Sequence, residues 1–261
     1  MQRTPNAEIA HWIAISVGLA ATAWAVALFA SLPAIPLVTA APAIAALIVS
    51  GRKGAFGSFG FARAEPGLLP LALFGPIVVN MAGLLLVIRL GLASWKTVPV
   101  AGPGPAGMAA LLLGGAVFVA FMEETAFRGF LLPRLLRFGV VKAVLLSGLA
   151  HGLWRLPLMF AIAIPTASHS ASVISLVTLA FMLGGAFHGL LWLISGSIWP
   201  AVLVHLVGIL GWAAITGLTT ANVPWAIDYS AAVIIFGLLI LNALALLMLR
   251  PDHEASILST V

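Results

Sequence analysis

The sequence predicts an all-α fold, a polytopic membrane bundle of about eight transmembrane helices forming one integral-membrane domain over residues 1–261. Three observations predict it. Of the 261 residues, 62% are hydrophobic and 7% are charged, whereas a soluble domain carries about 25% charged and about 45–50% apolar residues. The mean hydropathy is +1.19. Eight apolar runs can be marked along the chain, most of them close to the roughly 20 residues that a helix needs to cross a bilayer. So few charges cannot cover the surface of a water-soluble globule. Composition thus excludes a soluble enzyme, a nucleic-acid-binding domain and a disordered chain.

The expected spans are 9–31, 33–50, 67–93, 106–131, 140–164, 171–194, 198–217 and 229–249, with edges good to a few residues. The first run has no small-residue cleavage site and is long enough to span, so it reads as a helix rather than a leader. Pro33 and Pro36 separate it from the second run. The stretch Gly51-Arg-Lys-Gly-Ala-Phe-Gly separates the second from the third. Prolines and glycines between Lys96 and Pro105 separate the third from the fourth. The short turn Ser195-Gly-Ser197 divides the sixth from the seventh. No internal repeat, low-complexity tract or soluble domain is visible.

Charge fixes the expected orientation. The sequence pI of about 10.8 suggests nucleic acid, but the twelve basic residues are scattered over several loops and form no patch. With the N-terminus inside, Arg3, Arg52, Lys53, Arg63, Arg134, Arg137, Lys142 and Arg250 fall on the cytoplasmic side, and Arg89 and Lys96 fall outside. This bias predicts cytoplasmic termini in an integral membrane protein, read as one of a bacterial plasma membrane. The expected partners are the lipid bilayer and a peptide or protein in the membrane, not nucleic acid. The oligomeric state is open. The chain has no cysteine, which removes disulfides, thiolate metal sites and a cysteine nucleophile.

Two acids stand inside an apolar run, Glu123 and Glu124. Glu8, Glu65, Asp252 and Glu254 lie in tails or loops, and Asp228 at the edge of the last span. Ionisable groups are costly in a membrane, face protein or a water-filled cavity, and mark function. Glu124 and Arg128 are spaced i, i+4 and can pair on one helix face. Glu123 is rotated about 100° from Glu124 and is expected off that pair, free to handle a proton. His151, His188 and His205 fall in the fifth, sixth and seventh runs. Small residues flank them: Ser147 and Gly148, Gly184 and Gly185, Ala201 and Gly208. Such residues let helices approach closely. His11, His169 and His253 read as peripheral.

A glutamate with two or three neutral imidazoles supports hydrolysis in either of two ways. The group can bind a divalent metal, zinc being the natural choice, that lowers the pKa of a bound water. In that case Glu123, His151 and His205 would be the ligands. Alternatively, Glu123 acts directly as a general base while the histidines orient water and stabilise the oxyanion. The metal-free form is the preferred reading, with no metal ligand assigned. A proton or solute transporter is a third class with the same residues. No His-Glu-x-x-His helix and no intramembrane aspartate pair is present. The Ser195-Gly-Ser197 turn offers a serine with no evident base.

These residues carry a family resemblance. Glu123-Glu124-Thr-Ala-Phe-Arg128-Gly-Phe-Leu-Leu-Pro-Arg resembles the Glu-Glu-x-x-x-Arg-Gly motif of the CPBP family, the CAAX prenyl endopeptidase and bacteriocin-processing (Abi-like) group. Gly196-Ser-Ile-Trp-Pro-Ala-Val-Leu-Val-His205 resembles its later histidine motif. The resemblance implies an eight-span intramembrane endopeptidase with a catalytic core over 106–215, helices four to seven, acting on membrane-associated, CAAX-type prenylated substrates. It also implies Glu123 as general base, His205 as an oxyanion or metal-side group, and Glu124–Arg128 as a support. His188 lies in the register of a less specific third segment.

Two positions depart from the pattern. In His151-Gly-Leu-Trp-Arg155-Leu-Pro, the family histidine aligns with either His151 or Arg155, which share a helix face. Arg155 stays protonated and can be neither base nor metal ligand. Ile209 stands four residues after His205, where the family often carries asparagine. Asn80 and Asn242, in other spans, are possible substitutes. The expected catalytic set is therefore Glu123, His151 and His205, supported by Glu124, Arg128, Arg155 and His188. The alternative is a catalytically impaired member acting by partner binding.

Overall fold

The computed structural model describes residues 4–30, 35–51, 59–64, 66–95, 104–166, 171–222 and 226–249. Each of the eight expected runs is a helix: α1 (Pro5–Ala30), α2 (Ile35–Ser50), α3 (Leu69–Arg89), α4 (Gly104–Glu124), α6 (Val140–Thr166), α7 (Ala171–Ser195), α8 (Trp199–Leu218) and α9 (Ala226–Met248). Among the described residues, five helices are long and apolar enough to cross a membrane: Pro5–Ala27, Pro66–Arg89, Ala110–Phe138, Ala171–Ser195 and Tyr229–Met248. The apolar stretches of α2 and α8, Pro36–Ser50 and Trp199–Ala213, are shorter. The chain is an integral membrane protein, an all-α bundle. Its exposed surface is strongly apolar, with Leu111, Val141, Leu145, Phe236 and Leu247 all exposed.

The edges differ from expectation for local reasons. Helix α1 starts at Pro5 rather than residue 9. The Thr4 hydroxyl accepts from the Ala7 amide at 3.4 Å, and proline at the first helical position lacks only a donor that would be unpaired there. The expected fourth span, 106–131, is not one α-helix. It is regular to Glu124, widens to a π-helix over Thr125–Leu131, resumes as the single turn α5 (Leu132–Leu135) and ends in a 3₁₀ turn at Leu136–Phe138. Helix α3 closes at Gly91 (φ +69°), where the Leu92 amide reaches back to the Val87 carbonyl at 2.8 Å. The left-handed backbone there suits glycine.

A two-stranded antiparallel ribbon was not anticipated by the sequence. Strand β1 (Ala93–Trp95) pairs with β2 (Thr219–Ala221), and Asn222 ties the same ends through Ser94 and Gly91. The two linkers satisfy each other's backbone groups beyond the helix ends. At the opposite end of the bundle, the Ile198 amide donates to Gly60 O at 2.8 Å and the Ser197 hydroxyl to Ala62 O at 2.6 Å. Arg134 pairs there with Glu8 at 2.6 Å, and Arg137 donates to Asn6. The N-terminal segment, the 59–62 loop, the 132–138 segment and the 196–198 turn therefore share one end, as an even number of crossings between them requires.

The core packs around the π turn. Trp12 of α1 donates its indole N–H to Pro42 O at 2.8 Å and rests on Phe127 and Phe130, each with centroids 5.7 Å away. Helices α6 and α7 cross on glycine. A Cβ at Gly148 would lie 2.5 Å from Met182 O, and one at Gly152 would lie 3.0 Å from Thr178 O. A Cβ at Gly185 would lie 2.9 Å from the side chains of Arg128 and His151 and 3.0 Å from Gly148 Cα, but Gly184 and Gly208 face open space. Of the small residues expected to allow close packing, those two do not take part.

This contrast gives a first prediction. Gly148→Ala forces backbone apart and is expected to cost about 1–3 kcal/mol. Gly184→Ala meets nothing and gains helix propensity, so its stability stays level or rises by up to about 1 kcal/mol. Thermal unfolding of both variants in the same detergent checks the pair.

Candidate active site

Seven polar side chains converge in the buried centre of the bundle. Glu123 and Glu124 come from the end of α4, Arg128 from the π turn, His151 and Arg155 from α6, His188 from α7 and His205 from α8. Glu123, Glu124 and Arg128 are fully buried, and the others are 1–7% exposed. The π turn begins directly after the two glutamates and carries Arg128. Its wider winding crowds successive side chains toward one side, and such turns recur at functional sites. Gly129 permits it, because a Cβ there would lie 2.9 Å from Phe59 O. The 59–60 loop can thus press directly on the turn.

Glu124 forms the expected pair with Arg128, Nε to Oε2 at 3.2 Å. Arg128 also donates to Gly185 O at 2.5 Å, the contact that leaves no room for a side chain at 185. Glu124 does more than this pair. Its Oε1 lies 2.9 Å from His188 Nδ1 and 2.7 Å from His205 Nδ1. A carboxylate only accepts, so each of these nitrogens carries its proton.

Glu123 lies off the Glu124–Arg128 pair, as expected, but it is not free of partners. Its Oε2 accepts from His151 Nε2 at 2.9 Å and from Arg155 Nε at 3.0 Å. Arg155 Nη2 is 2.8 Å from the same oxygen. Its Oε1 is buried with no hydrogen-bond partner among the described residues. Arg155 Nη2 also donates to His205 Nε2 at 2.9 Å, and the Arg155 guanidinium stands over the Phe181 ring at 5.3 Å. His205 therefore joins the two glutamates, donating to Glu124 through Nδ1 and receiving Arg155 at Nε2. That nitrogen is 3.7 Å from Glu123 Oε2.

Every site residue expected from sequence is in this cluster. His151 and Arg155 both reach Glu123, so the two alignments of the middle motif meet at one oxygen. His188 contacts Glu124 and not Glu123. Of the three histidines read as peripheral, His11 bonds to Ala7 O, and His169 and His253 lie outside the described residues. Asn80 bonds to Pro76 O, and Asn242 bonds to Leu183 O and Leu238 O. Both asparagines are spent on helix backbone. Ser195 and Ser197 cap their own turn and the 59–62 loop. Sequence reasoning held Gly129 only as a motif letter and did not single out Phe181 or the 59–60 loop.

Two donor sets lie within 4.8 Å: Glu123 with His151 and His205, and Glu124 with His188 and His205. Buried carboxylate and imidazole groups of this kind suit a divalent cation such as zinc. In the first set, the Arg155 guanidinium already stands between Glu123 and His205.

Residues 105–210 match the family described as Type II CAAX prenyl endopeptidase Rce1-like. Over this segment the chain is similar to that family, which supports a CPBP-type intramembrane protease. The matched segment contains all seven residues of the cluster. A comparison with curated proteins gives no match. The matched family is one of CAAX prenyl endopeptidases.

Removing Arg128 leaves Glu124 buried with a missing counter-charge and Gly185 O without its donor. Arg128→Ala is expected to cost about 3–5 kcal/mol and to lower the yield of folded protein. Arg128→Lys recovers only part of this, because one ammonium cannot reproduce the guanidinium fork. Unfolding midpoints of the two variants check the order.

Proposed function

We propose that the chain is an endopeptidase that hydrolyses a peptide bond of a membrane-associated substrate with water activated by Glu123. One observation carries this reading. Glu123 has one oxygen, Oε2, held by His151 and Arg155, and one, Oε1, buried and unpartnered among the described residues. A general base needs a fixed carboxylate with a lone pair free toward the proton it takes. In this reading Oε1 accepts a proton from water as the water oxygen attacks the scissile carbonyl carbon. The carbonyl electron pair moves onto oxygen. When the tetrahedral species collapses, the C–N bond breaks and Glu123 returns the proton to the leaving nitrogen.

The histidines take roles that differ from the sequence expectation. His151 donates to Glu123 and fixes its rotamer. His205 presents an acceptor to Arg155, so in this arrangement it is not an oxyanion donor. Arg155 is the N–H donor beside Glu123 and supplies the positive charge near which an oxyanion would form. It takes over what a polar side chain at Ile209 would do. Glu124, Arg128 and His188 act as support, positioning His205. No step is routed through a metal. The family resemblance supports a CAAX-type prenylated peptide as substrate and a core over 106–215 within a single domain, and the positive-inside bias supports cytoplasmic termini.

Glu123→Gln keeps the size of the side chain and removes its basicity. It is expected to slow cleavage of a prenylated CAAX peptide by about 10²–10⁴-fold, with the unfolding midpoint and monodispersity retained. Purified wild type and variant are to be compared on that peptide and on a membrane-peptide library. Identical products from the two proteins would sink the protease reading. Proton or solute flux in proteoliposomes that disappears in Glu123→Gln would establish a transporter instead.

A further inference from the structure

The charge in the buried centre is already balanced by the protein itself. Among the described residues, two carboxylates, Glu123 and Glu124, face two guanidiniums, Arg155 and Arg128. A divalent ion bound there would leave an excess of two positive charges in a low-dielectric interior, which is costly. The geometry makes the same point atom by atom. A metal held by Glu123, His151 and His205 would use Glu123 Oε2 and one lone pair from each imidazole at about 2.0–2.2 Å. Glu123 Oε2 is taken by His151 Nε2 at 2.9 Å and Arg155 Nη2 at 2.8 Å, and His205 Nε2 by Arg155 Nη2 at 2.9 Å. In the second donor set, the Nδ1 atoms of His188 and His205 both point their protons at Glu124 Oε1. Glu123 Oε1, Glu124 Oε2 and His151 Nδ1 have no hydrogen-bond partner among the described residues, but the oxygens and nitrogens that face one another within each set are already engaged.

We infer that Arg155 is a built-in cation standing where a divalent metal would otherwise sit, and that this one side chain makes the centre metal-independent. The guanidinium keeps its charge at all physiological pH. It is held from both sides, by Glu123 and His205 on one and by the Phe181 ring on the other. The corollary is specific to this chain. Arg155 lies one helical turn from His151, so Arg155→His would place two imidazoles at i, i+4 on one face of α6, a spacing used by helical zinc sites. With Glu123 and His205 it would complete four nitrogen and oxygen donors and remove the competing charge. The inference rests on Glu123, His151 and His205 being the working centre, but its test reads metal content rather than cleavage.

The experiment incubates full-length wild type, Arg155→His, His205→Ala and the Arg155→His/His205→Ala double variant with zinc in detergent. The protein is desalted, zinc per chain is measured by elemental analysis, and unfolding midpoints are recorded with and without zinc. Wild type is expected to retain no stoichiometric zinc and to show no zinc-dependent midpoint. Arg155→His is expected to retain about one zinc per chain, with a raised midpoint, and to lose both in the double variant. Wild type that retains one zinc per chain and loses it in His205→Ala overturns the inference. So does an Arg155→His protein that unfolds cooperatively and holds no zinc. If Arg155→His does not fold, the wild-type and His205→Ala comparison decides alone. Failure of the protease reading would show in the products and leave the zinc measurements untouched.

Discussion

Neutralising two carboxylates inside an apolar bundle is the constraint on which the rest of this structure depends. A single buried glutamate without a partner would protonate or drag water inward. Two adjacent ones also repel each other. The chain resolves this by giving each its own guanidinium from a different direction. Arg128 comes from the same helical segment and Arg155 from the neighbouring helix. The arrangement then needs α4, α6, α7 and α8 to meet within the reach of a few side chains. The glycines at 148, 152 and 185 are the physical form of that requirement, since each lies where a methyl group would push two helices apart.

His205 links the two ion pairs into one network. It donates to Glu124 and accepts from Arg155, which in turn binds Glu123. Moving any of these groups shifts the others, so the two halves of the cluster act as a unit and pairwise deletions would not add. The network also divides the two glutamates by role. Both oxygens of Glu124 lie within 3.2 Å of a basic group. Each glutamate has one oxygen without a hydrogen bond, but Glu124 Oε2 faces Arg128 Nε whereas no ion pair is seen at Glu123 Oε1 among the described residues. Adjacent residues of the same type thus differ through their surroundings alone.

Much of this could be read from the sequence. Membrane character followed from composition, and the eight helices from apolar runs bounded by proline, glycine and charge. The Glu124–Arg128 pair followed from i, i+4 spacing. His151 and Arg155 were placed on one face by the same rule. Spacing says nothing about which partner a helix face meets, however, so the contact of Arg155 with both Glu123 and His205 was out of reach. Gly184 and Gly185 are indistinguishable as letters, yet only the second faces a neighbour. The π turn was not legible either, and neither was the close approach of Phe59 to Gly129 within it, a contact some 70 residues away in the chain. The β1–β2 ribbon was missed because three-residue strands carry too little pattern to stand out from a linker.

The π turn also divides two kinds of change that evolution could make here. A π turn is an α-helix carrying one surplus residue. Substituting a residue within 125–131 leaves the count intact, and the register of α4 against α5 survives. Deleting one residue would let the segment relax to α geometry. Everything downstream would then rotate relative to Glu123 by about 100°, carrying Phe130 off Trp12 and Arg134 away from Glu8. In this stretch the number of residues is as much a part of the blueprint as their identity.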